Sequence, residues 1–464
     1  MENQPTRGNR PSNPRRRSRD KVKIFKEAYL PFIMAAIAVI VIVGIVIAIS
    51  TGWKSPDPTI NPTAGSTSSS MEAEAQQCLS QAAQLAQAYD YDGALQVLQD
   101  FRGDINAFPE LKKAVEEYTL IKHNMVSWHA SQVPNLSFHI LIADLSAALA
   151  DPTYGQDGNN LYNRNFITCD EFSSILKRLY DNGYVLVDMD DLYAYEQVNG
   201  EMTYVEKIIS LPEGKKPIML TETHCNYYSY MVDKDRDGQA DSNGSGFASK
   251  LCWDRGFYNE MVTPDGTTVT GAFDFVPLLE NFIQLYPDFS YKGARAILAF
   301  SGYDGIFGYR ITSETASEEK LMEDFGKAAV LIRRLREAGY TIACYTYDNM
   351  DYSVKSASEI RKDIQLWQEL IVPAVGATDL LVFAWEADIG TSYENNKKFD
   401  VLYEYGYRFF LGSTPFLSQH VDAQYVRHNR LIVTGTYLYH HSEWYKDLFS
   451  TDNLLDPRRD KVPQ

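Results

Sequence analysis

The chain has 464 residues, of which 13% are aromatic, and a formal net charge of −17. This length exceeds what one compact core usually holds, so we expect two or more structural units. The acidic balance argues against nucleic acid as a partner. The five cysteines form no C-x-x-C pair and no regular spacing, so we expect no disulfide framework. One bridge, for example between Cys225 and Cys252, and a set of buried free thiols both fit this pattern.

The N-terminal segment is basic and is followed by a long apolar run. Residues 1–28 carry a net charge of +6, which leaves −23 for the rest of the chain. The 21-residue run at 29–49 would span about 30 Å as a helix, the thickness of a bilayer core. Because basic flanks stay inside the cell, we predict a cytoplasmic segment at 1–28, one transmembrane helix at 29–50 in the cell membrane, and an extracellular remainder. A cleaved signal peptide is the alternative, since AIS at 48–50 resembles a cleavage site.

Two further units precede the main domain. Residues 51–70 are rich in Ser, Thr and Pro and lack apolar periodicity, which is typical of a flexible linker. Residues 71–132 carry apolar side chains at helical spacing, with breaks at Gly103 and Pro109, and predict a small α-helical stalk or hairpin. One hairpin cannot close a helical solenoid, so we expect it to pack on the main domain. A module that binds a protein partner through residues 71–128 is the alternative.

The main domain, at residues 133–464, alternates between short apolar runs and amphipathic helices. The strand-like runs lie at 138–143, 184–187, 217–220, 294–300, 341–345, 380–383, 407–411 and 431–433. The helical runs lie at 170–180, 275–286, 318–337, 357–369 and 397–405. This alternation predicts an α/β fold with a parallel sheet, and about eight strands suit a (β/α) barrel. A doubly wound open sheet is the structural alternative.

The stretch PIMLTETHCNYYSYM at 217–231 is the strongest candidate for a functional site. Its apolar start predicts a buried parallel strand, which stops at the polar sequence TETH. Parallel α/β proteins place their chemistry at the carboxyl ends of strands. We therefore expect functional residues to begin at this point.

This stretch resembles the polysaccharide deacetylase (NodB-homology) family, in a membrane-anchored bacterial branch, together with YPDFSY at 286–291 and GYDGIFGYR at 302–310. The resemblance implies a distorted (β/α) barrel of the polysaccharide deacetylase type over residues 133–464. It also implies a cell-surface protein that acts on or binds cell-wall or capsular polysaccharide.

The family's catalytic motifs are substituted in this chain. Where the family has an Asp as general base and an Asp as metal ligand, this chain has Thr223 and His224; where it has two metal-binding His, this chain has Tyr345 and Asn349. A third motif has Ala384 in place of proline. Zinc favours carboxylate, imidazole and thiolate ligands, and a hydroxyl is a poor base near neutral pH. We predict that the family-type zinc site is absent and that the barrel is catalytically inactive.

A rearranged active site is the alternative, which would make the chain an active carbohydrate N-acetyl or O-acetyl deacetylase. Glu222 and His224 are two residues apart on a predicted strand and would share a face. Asp348 or Asp351 could approach them from the neighbouring strand. The candidate catalytic residues are then Glu222, His224, Asp348 and Asp388.

Aromatic residues near the predicted strand ends suggest a platform on which sugar rings stack. Polar side chains beside such a platform would orient the sugar hydroxyls. The candidate substrate-binding residues are Tyr227, Tyr303, Asn349 and Trp385.

A separate acidic loop, DKDRDGQAD at 233–241, has oxygen ligands at positions 1, 3, 5 and 9 of a calcium-binding loop and glycine at position 6. Position 12 is Gly244 instead of the usual Glu, which weakens any site. A solvated acidic hairpin is the alternative. The candidate Ca²⁺ ligands are Asp233, Asp235, Asp237 and Asp241.

Overall fold

The computed structural model describes residues 66–150, 161–231, 245–312, 316–414 and 417–459. The chain divides into a unit of residues 1–70 and a compact unit of residues 71–464. The predicted cytoplasmic segment, transmembrane helix and calcium loop lie outside the described residues, as does most of the predicted linker. Within the described ranges, no helix is both long and apolar enough to cross a bilayer.

The helices and strands follow one another as the sequence pattern predicts for an α/β protein. The helices are α1 (Ser66–Gln87), α2 (Tyr91–Gln99), α3 (Pro109–His123), α4 (Leu145–Leu149), α5 (Leu161–Asn165), α6 (Cys169–Asp181), α7 (Met189–Leu192), α8 (Phe275–Leu285), α9 (Glu318–Ala338), α10 (Ala357–Leu370), α11 (Val372–Val375), α12 (Lys397–Glu404) and α13 (Gly435–His440). The strands are β1 (Val126–Trp128), β2 (Asn135–Phe138), β3 (Tyr184–Leu186), β4 (Tyr193–Val198), β5 (Glu201–Glu206), β6 (Ile209–Leu211), β7 (Lys216–Thr223), β8 (Ala248–Trp253), β9 (Phe257–Val262), β10 (Thr268–Gly271), β11 (Ile297–Phe300), β12 (Thr341–Cys344), β13 (Leu380–Val382), β14 (Phe409–Ser413), β15 (Gln419–Val421) and β16 (Val426–Ile432).

The long helices begin and end at local signals in the sequence. Thr168 and Glu171 form a capping box at the start of α6, so that two backbone N–H groups at the helix start are satisfied by side chains. Ser356 and Glu359 do the same for α10. Gly339, with φ of 103°, ends α9 in the left-handed conformation that glycine adopts most readily. These signals explain why the predicted helix bounds agree with the structure to within about two residues.

Seven parallel strands close into a barrel, in the order β2, β7, β11, β12, β13, β14 and β16. The ring is completed by parallel pairing of β16 with β2 and of β11 with β7. Strand β3 pairs with the first part of β7, whereas β11 pairs with its last three residues. The (β/α) barrel is therefore confirmed and the open sheet is excluded, although the closed ring has seven strands and not eight.

Apolar side chains fill the barrel, and the helices cover its outside. Met219, Ala299 and Val382 belong to the buried interior. On the outside, the Phe138 ring of β2 packs against Phe172 of α6 and Phe275 of α8, with ring centroids 5.1 and 5.9 Å away. Each such buried ring contributes roughly 2–3 kcal/mol of transfer free energy.

Two strand predictions are displaced from the observed strands. The first strand runs over Asn135–Phe138, and the apolar residues after it, predicted as strand to residue 143, form a buried loop instead. The last strand is Val426–Ile432 and begins five residues before the predicted run. The first residues of this strand were not predicted because polar residues alternate along it. A prediction from apolar periodicity treats charged residues as exposed.

Short antiparallel strands lie outside the barrel ring and were not predicted from the sequence. They are the hairpin of β4 and β5, the three-stranded sheet of β10, β9 and β8, and the pair of β1 and β6. Six of the twelve side chains in β4 and β5 are exposed and one is buried, so these strands lack the apolar signal of a core strand.

The helical segment α1 to α3 packs on the barrel at the amino-terminal ends of the strands. The Tyr89 hydroxyl donates to the carbonyl oxygen of Asp288 at 2.7 Å, and the Lys292 N–H donates to the carbonyl oxygen of Ala88 at 2.9 Å. Both partners precede β11 in the chain. The segment therefore leaves the carboxyl-terminal ends of the strands uncovered.

All five cysteines are free thiols. Cys225 and Cys252 are both buried and do not form the bridge that the sequence allowed.

Candidate functional site

Strand β7 turns its last two side chains to opposite faces. Glu222 is completely buried near Asp274, which precedes α8 on the helix side of the wall, and neither of its carboxylate oxygens has a hydrogen-bond donor among the described residues. Alternation along the strand directs Thr223 into the barrel. Its hydroxyl donates to the carbonyl oxygen of Phe138 at 3.2 Å. Thr223 thus lies on the inner wall at the mouth, by which we mean the end formed by the carboxyl ends of the barrel strands.

His139 meets Thr223 across the boundary between two strands. It follows β2, whose last residue, Phe138, faces the outer helices, so His139 turns inward. Its Nδ1 atom lies 2.8 Å from Thr223 Oγ1. Because the Thr223 hydroxyl also donates to Phe138 O, the tautomer that keeps this bond has His139 Nδ1–H as the donor to Thr223. The Nε2 atom of the neutral ring then carries a lone pair.

His224 lies beside His139 in a left-handed backbone conformation, with φ of 62°. The two imidazole centroids are 4.8 Å apart, and the ring of Tyr345, from the end of β12, is 5.2 Å from that of His224. The Nδ1 atom of His224 lies 3.1 Å from the hydroxyl of Tyr228. Both imidazoles are partly exposed at the mouth.

Arg430 of β16 supplies a cation beneath these rings. Its side chain is 1% exposed and its guanidinium donates to three neutral oxygens. The acceptors are Ser137 Oγ at 2.9 Å, Phe383 O at 2.9 Å and Gly412 O at 3.3 Å.

Burial and this cation keep the surrounding groups neutral. Burial lowers the pKa of His224 to about 4, and Arg430 adds to the shift. Burial, followed by the charges of His224 and Arg430, holds the pKa of His139 well below its usual range. Burial raises the pKa of the Tyr345 phenol. Near neutral pH the mouth therefore combines two neutral imidazoles and a neutral phenol with one positive charge.

The backbone is strained in four loops around the mouth. Non-glycine residues rarely adopt positive φ, and each costs about 1–3 kcal/mol unless the surrounding structure compensates. Among the described residues, two non-glycine residues have positive φ in each of the loops that follow β7, β11, β12 and β13. They are His224, Tyr227, Asp304, Phe307, Thr346, Asn349, Trp385 and Glu386.

Buried polar side chains hold these loops in place. The amide of Asn226 donates to three carbonyl oxygens of the loop at 301–305 and accepts from the N–H of Ser301. Asp363 of α10 accepts from the N–H groups of Tyr347 and Asp348, at 2.7 and 2.8 Å. These hydrogen bonds hold the loops after β7, β11 and β12 in fixed positions around the mouth.

Exposed aromatic rings border the mouth. Trp385 is 67% exposed, and its indole Nε1–H donates to the carbonyl oxygen of Asn349 at 2.6 Å. Tyr303 is 44% exposed, and its ring lies 5.6 Å from that of Tyr228. The side-chain Oδ1 of Asn349 has no hydrogen-bond donor among the described residues.

The structure separates the predicted catalytic residues. The expectation that Glu222 and His224 share a face does not hold, because β7 ends before His224, and Glu222 is enclosed on the helix side. Asp388 forms an ion pair with Arg427 at 2.6 Å. Asp348 is exposed in the loop after β12. Of the four predicted residues, His224 lies in the mouth between His139 and Tyr345.

The predicted substrate contacts fare differently. Tyr303, Asn349 and Trp385 lie in the loops around the mouth. Tyr227 is 2% exposed, and its hydroxyl accepts from Asn259 Nδ2 at 3.1 Å, so it serves internal packing.

No family model and no curated protein sequence matches this chain. Among solved structures, the chain is similar to the Streptococcus pyogenes deacetylase PplD in complex with acetate, at 12% sequence identity. The match covers 70% of this chain and 98% of the deacetylase, with a TM-score of 0.31. A TM-score this low supports no conclusion about fold or function, so the barrel assignment depends on the strand pairing alone.

The residues at the mouth do not fit the zinc ion that the family resemblance implies. His224, Tyr345 and Asn349 bring no carboxylate, and the raised pKa of Tyr345 opposes phenolate formation. Arg430 adds a positive charge that repels a metal cation. Within the described part of the chain, no group of three or more His, Cys, Asp and Glu could hold a metal ion. Zinc absence and calcium binding at Asp233, Asp235, Asp237 and Asp241 both stay predictions.

Sequence reasoning missed His139 and Arg430. His139 follows the short strand NLSF, whose two polar residues weaken the apolar signal, and the predicted strand at 138–143 placed His139 inside a strand instead of at its end. Arg430 follows the polar residues 427–429 and precedes the apolar residues 431–433, so it lay just outside the predicted strand.

Proposed function

We propose that this chain is a membrane-anchored cell-surface protein whose barrel mouth binds cell-wall or capsular glycan and does not perform metal-dependent deacetylation. The anchor in this proposal is the apolar run at 29–49, with the basic residues before it inside the cell.

Trp385 carries the binding part of the proposal. Its ring is mostly exposed, so it gains little free energy from burial, and its backbone is held at a φ of 59°. The hydrogen bond to Asn349 fixes the ring orientation before any ligand arrives. A ring held in this way loses little conformational entropy on binding, which favours an aromatic platform for the apolar face of a sugar.

Asn349 supports a ligand with hydroxyl or amide donors. Its Oδ1 atom is enclosed and lacks a donor among the described residues, and such an atom costs about 1–3 kcal/mol until it is paired. A sugar hydroxyl or acetamido N–H beside the Trp385 ring would pair with it once the ligand displaces the groups that enclose it.

The absence of metal-dependent catalysis is supported by two contacts. Thr223, in the position of the family's base, has a hydroxyl group in place of a carboxylate that could accept a proton. This hydroxyl donates to Phe138 O. Arg430 adds a positive charge at the mouth, and this charge repels a zinc cation.

A hydrolase that uses His139 is the second candidate. The observation that favours it is the lone pair on His139 Nε2, which follows from the contact of Nδ1 with Thr223 and could accept a proton at the mouth.

The experiment combines three measurements on the full-length protein purified without added metal. Elemental analysis, acetate release from acetylated chitooligosaccharides and retention on a panel of wall glycans are compared with and without chelator. Glycan retention that is insensitive to chelator, with no acetate release and no stoichiometric transition metal, is expected. Stoichiometric zinc with chelator-sensitive acetate release would overturn the proposal, and metal-free release that His139→Gln abolishes would favour the second candidate.

A further inference from the structure

Arg430 is a buried cation without a carboxylate partner. Its guanidinium offers five N–H donors, of which three are engaged by Ser137, Phe383 and Gly412. In the part of the chain that the structure describes, no Asp or Glu lies within ion-pairing distance of it. Its hydrogen-bond partners are therefore all neutral, and Glu386 acts on it only from beyond ion-pairing distance.

Arg459 shows how this chain otherwise treats an enclosed arginine. Its side chain is 2% exposed, and it pairs with Glu171, which is 1% exposed, at 2.6 Å. An unpaired charge in the interior costs several kcal/mol, and a carboxylate partner offsets much of that cost. Arg430 lacks this compensation, although it lies directly below an accessible surface.

The surface above Arg430 is formed by His139 and His224. Ser137, which binds the guanidinium, and His139 lie two residues apart on the inner side of β2. The Nδ1 atoms of both imidazoles are engaged by hydroxyl groups, and neither Nε2 atom has a protein partner among the described residues. The two Nε2 atoms are therefore the parts of the imidazole rings that a ligand in the mouth would contact.

Few charged groups oppose a negative ligand there. Tyr345 and Tyr228, which face the imidazoles, are neutral phenols because burial raises their pKa. Glu386 is the acidic residue whose charge reaches Arg430. It is exposed and accepts from the Tyr437 hydroxyl at 3.1 Å, so water screens it.

We propose that His139 and His224, above Arg430, form a subsite for the negatively charged group of an acidic glycan, a carboxylate or a phosphate. This inference rests on the proposed glycan-binding function and names its ligand class. The whole chain has a net charge of −17, so general attraction cannot bring acidic polymers to it. The preference must come from this local cluster.

In the tautomer of His139 whose Nδ1–H donates to Thr223, binding at this subsite requires one proton, because the Nε2 atom has a lone pair and cannot donate to an anion. A proton from solvent adds to Nε2, the ring becomes an imidazolium, and the new N–H donates to the ligand oxygen. The approaching anion drives this uptake, because a neighbouring negative charge raises the pKa of His139 from its lowered value in the free protein.

Calorimetry on the full-length protein tests the inference with a matched pair of probes, trigalacturonate and its methyl ester, which differ in charge and in the ester methyl groups. Measurements near neutral pH in two buffers of different ionisation enthalpy report proton uptake, because each proton taken up adds the buffer's ionisation enthalpy to the observed binding enthalpy. We expect the acid to bind at least about tenfold tighter than the ester, with uptake of about one proton, since charge-assisted hydrogen bonds are roughly twice as strong as neutral ones. A glycerol phosphate oligomer is the second arm, and tighter binding of this probe than of trigalacturonate would assign the subsite to phosphate.

Variants separate the subsite from general charge. Arg430→Gln should reduce the acid-to-ester preference to about onefold and leave ester binding in place. Arg427→Gln is the control, because it removes the same charge from β16 at a residue already paired with Asp388, and it should keep the preference. If Arg430→Gln does not fold, His139→Gln must remove the proton uptake.

Equal affinity of the wild-type protein for acid and ester, or tighter binding without proton uptake, would overturn the inference while glycan binding stands. Failure of every probe, together with failure on the wall-glycan panel, would overturn the proposed function itself.

Discussion

The indole Nε1–H of Trp385 donates to the carbonyl oxygen of Asn349, so that the loop after β13 is tied to the loop after β12. Both residues have positive φ, at 59° and 50°. The exposed ring of Trp385 is thus held in place by two residues with strained backbone conformations. Packing of the core does not require this arrangement. Strain of this kind concentrates where a protein must present groups in one orientation.

Replacing Trp385 separates ring stacking from loop anchoring. Trp385→Ala should weaken glycan binding by about tenfold or more, because an anchoring aromatic residue contributes on the order of 2 kcal/mol. Trp385→Phe keeps a ring but loses the N–H donated to Asn349, so an intermediate affinity is expected. The measurement is a binding isotherm for each variant. Trp253→Ala is the control, since Trp253 is 40% exposed on β8, where it stacks under Arg334; equal losses in all three variants would contradict the assignment.

Two glycines should respond to alanine in opposite ways. Gly305 has φ of 111°, and a Cβ atom there would lie 1.9 Å from the carbonyl oxygen of Tyr309, so Gly305→Ala should destabilise the protein by more than about 2 kcal/mol. Gly326 lies inside α9 with open space around it, so Gly326→Ala should stabilise by about 0.5–1 kcal/mol. Urea unfolding gives both values. A neutral Gly305→Ala would show that the loop after β11 is not held as described.

Acid should destabilise the fold through its buried histidines. His428 is enclosed, with Nδ1 near the Tyr193 hydroxyl and Nε2 near Val133 O, and burial lowers its pKa to about 4. The unfolded chain binds a proton below about pH 6.5, whereas the folded chain resists it down to about pH 4, so stability falls as the pH drops through this window. His428→Gln should remove up to roughly 3 kcal/mol of that fall, at 1.4 kcal/mol per pH unit.

Urea unfolding of the wild-type protein and this variant at several pH values between 7 and 4.5 measures the difference in slope. His441→Gln, at an exposed position, is the matched control for the substitution itself. Parallel slopes for wild type and His428→Gln would show that His428 is not held neutral.

Alkaline pH should act through Glu222. Burial, and then the neighbouring Asp274, raise the pKa of Glu222 well above its usual range, so the folded chain holds it protonated. Its contribution to stability is complete below about pH 4.5, the unfolded value, and is lost as the pH rises through the raised pKa. Glu222→Gln removes this titration, and its amide can donate to Asp274 Oδ2, which lacks a donor among the described residues.

We therefore expect Glu222→Gln to be more stable than the wild-type protein at pH 8 by more than about 1 kcal/mol, with little difference at pH 4.5. Thermal unfolding at both pH values gives the comparison. A Glu222→Gln variant that loses stability equally at the two pH values would contradict a protonated Glu222.

The sequence predicts local elements well because their signals are local. Strand β7 is a continuous apolar run, and the predicted bounds of α9 and α10 differ from the observed ones by one residue at most. Alternation of strands and helices predicts the parallel sheet but leaves both a closed ring and an open sheet possible, and only the observed strand pairing distinguishes them.

The site could be predicted only in part, because it depends on contacts between distant residues. His139 and Arg430 are almost 300 residues apart in the chain and come together only in the folded barrel. The residues next to either one therefore give no signal of the other. Strand alternation put Glu222 on the same face as His224, but the left-handed backbone of His224 lies beyond the strand end, where alternation no longer applies.

Strand β3 borders only the first residues of β7, and β11 takes over that edge toward the mouth, so the ring that closes has seven strands. Barrel diameter grows with strand number, so the smaller circumference draws opposite walls together. Side chains from β2, β12 and β16 can then meet over a lumen that a regular eight-stranded ring would hold further apart.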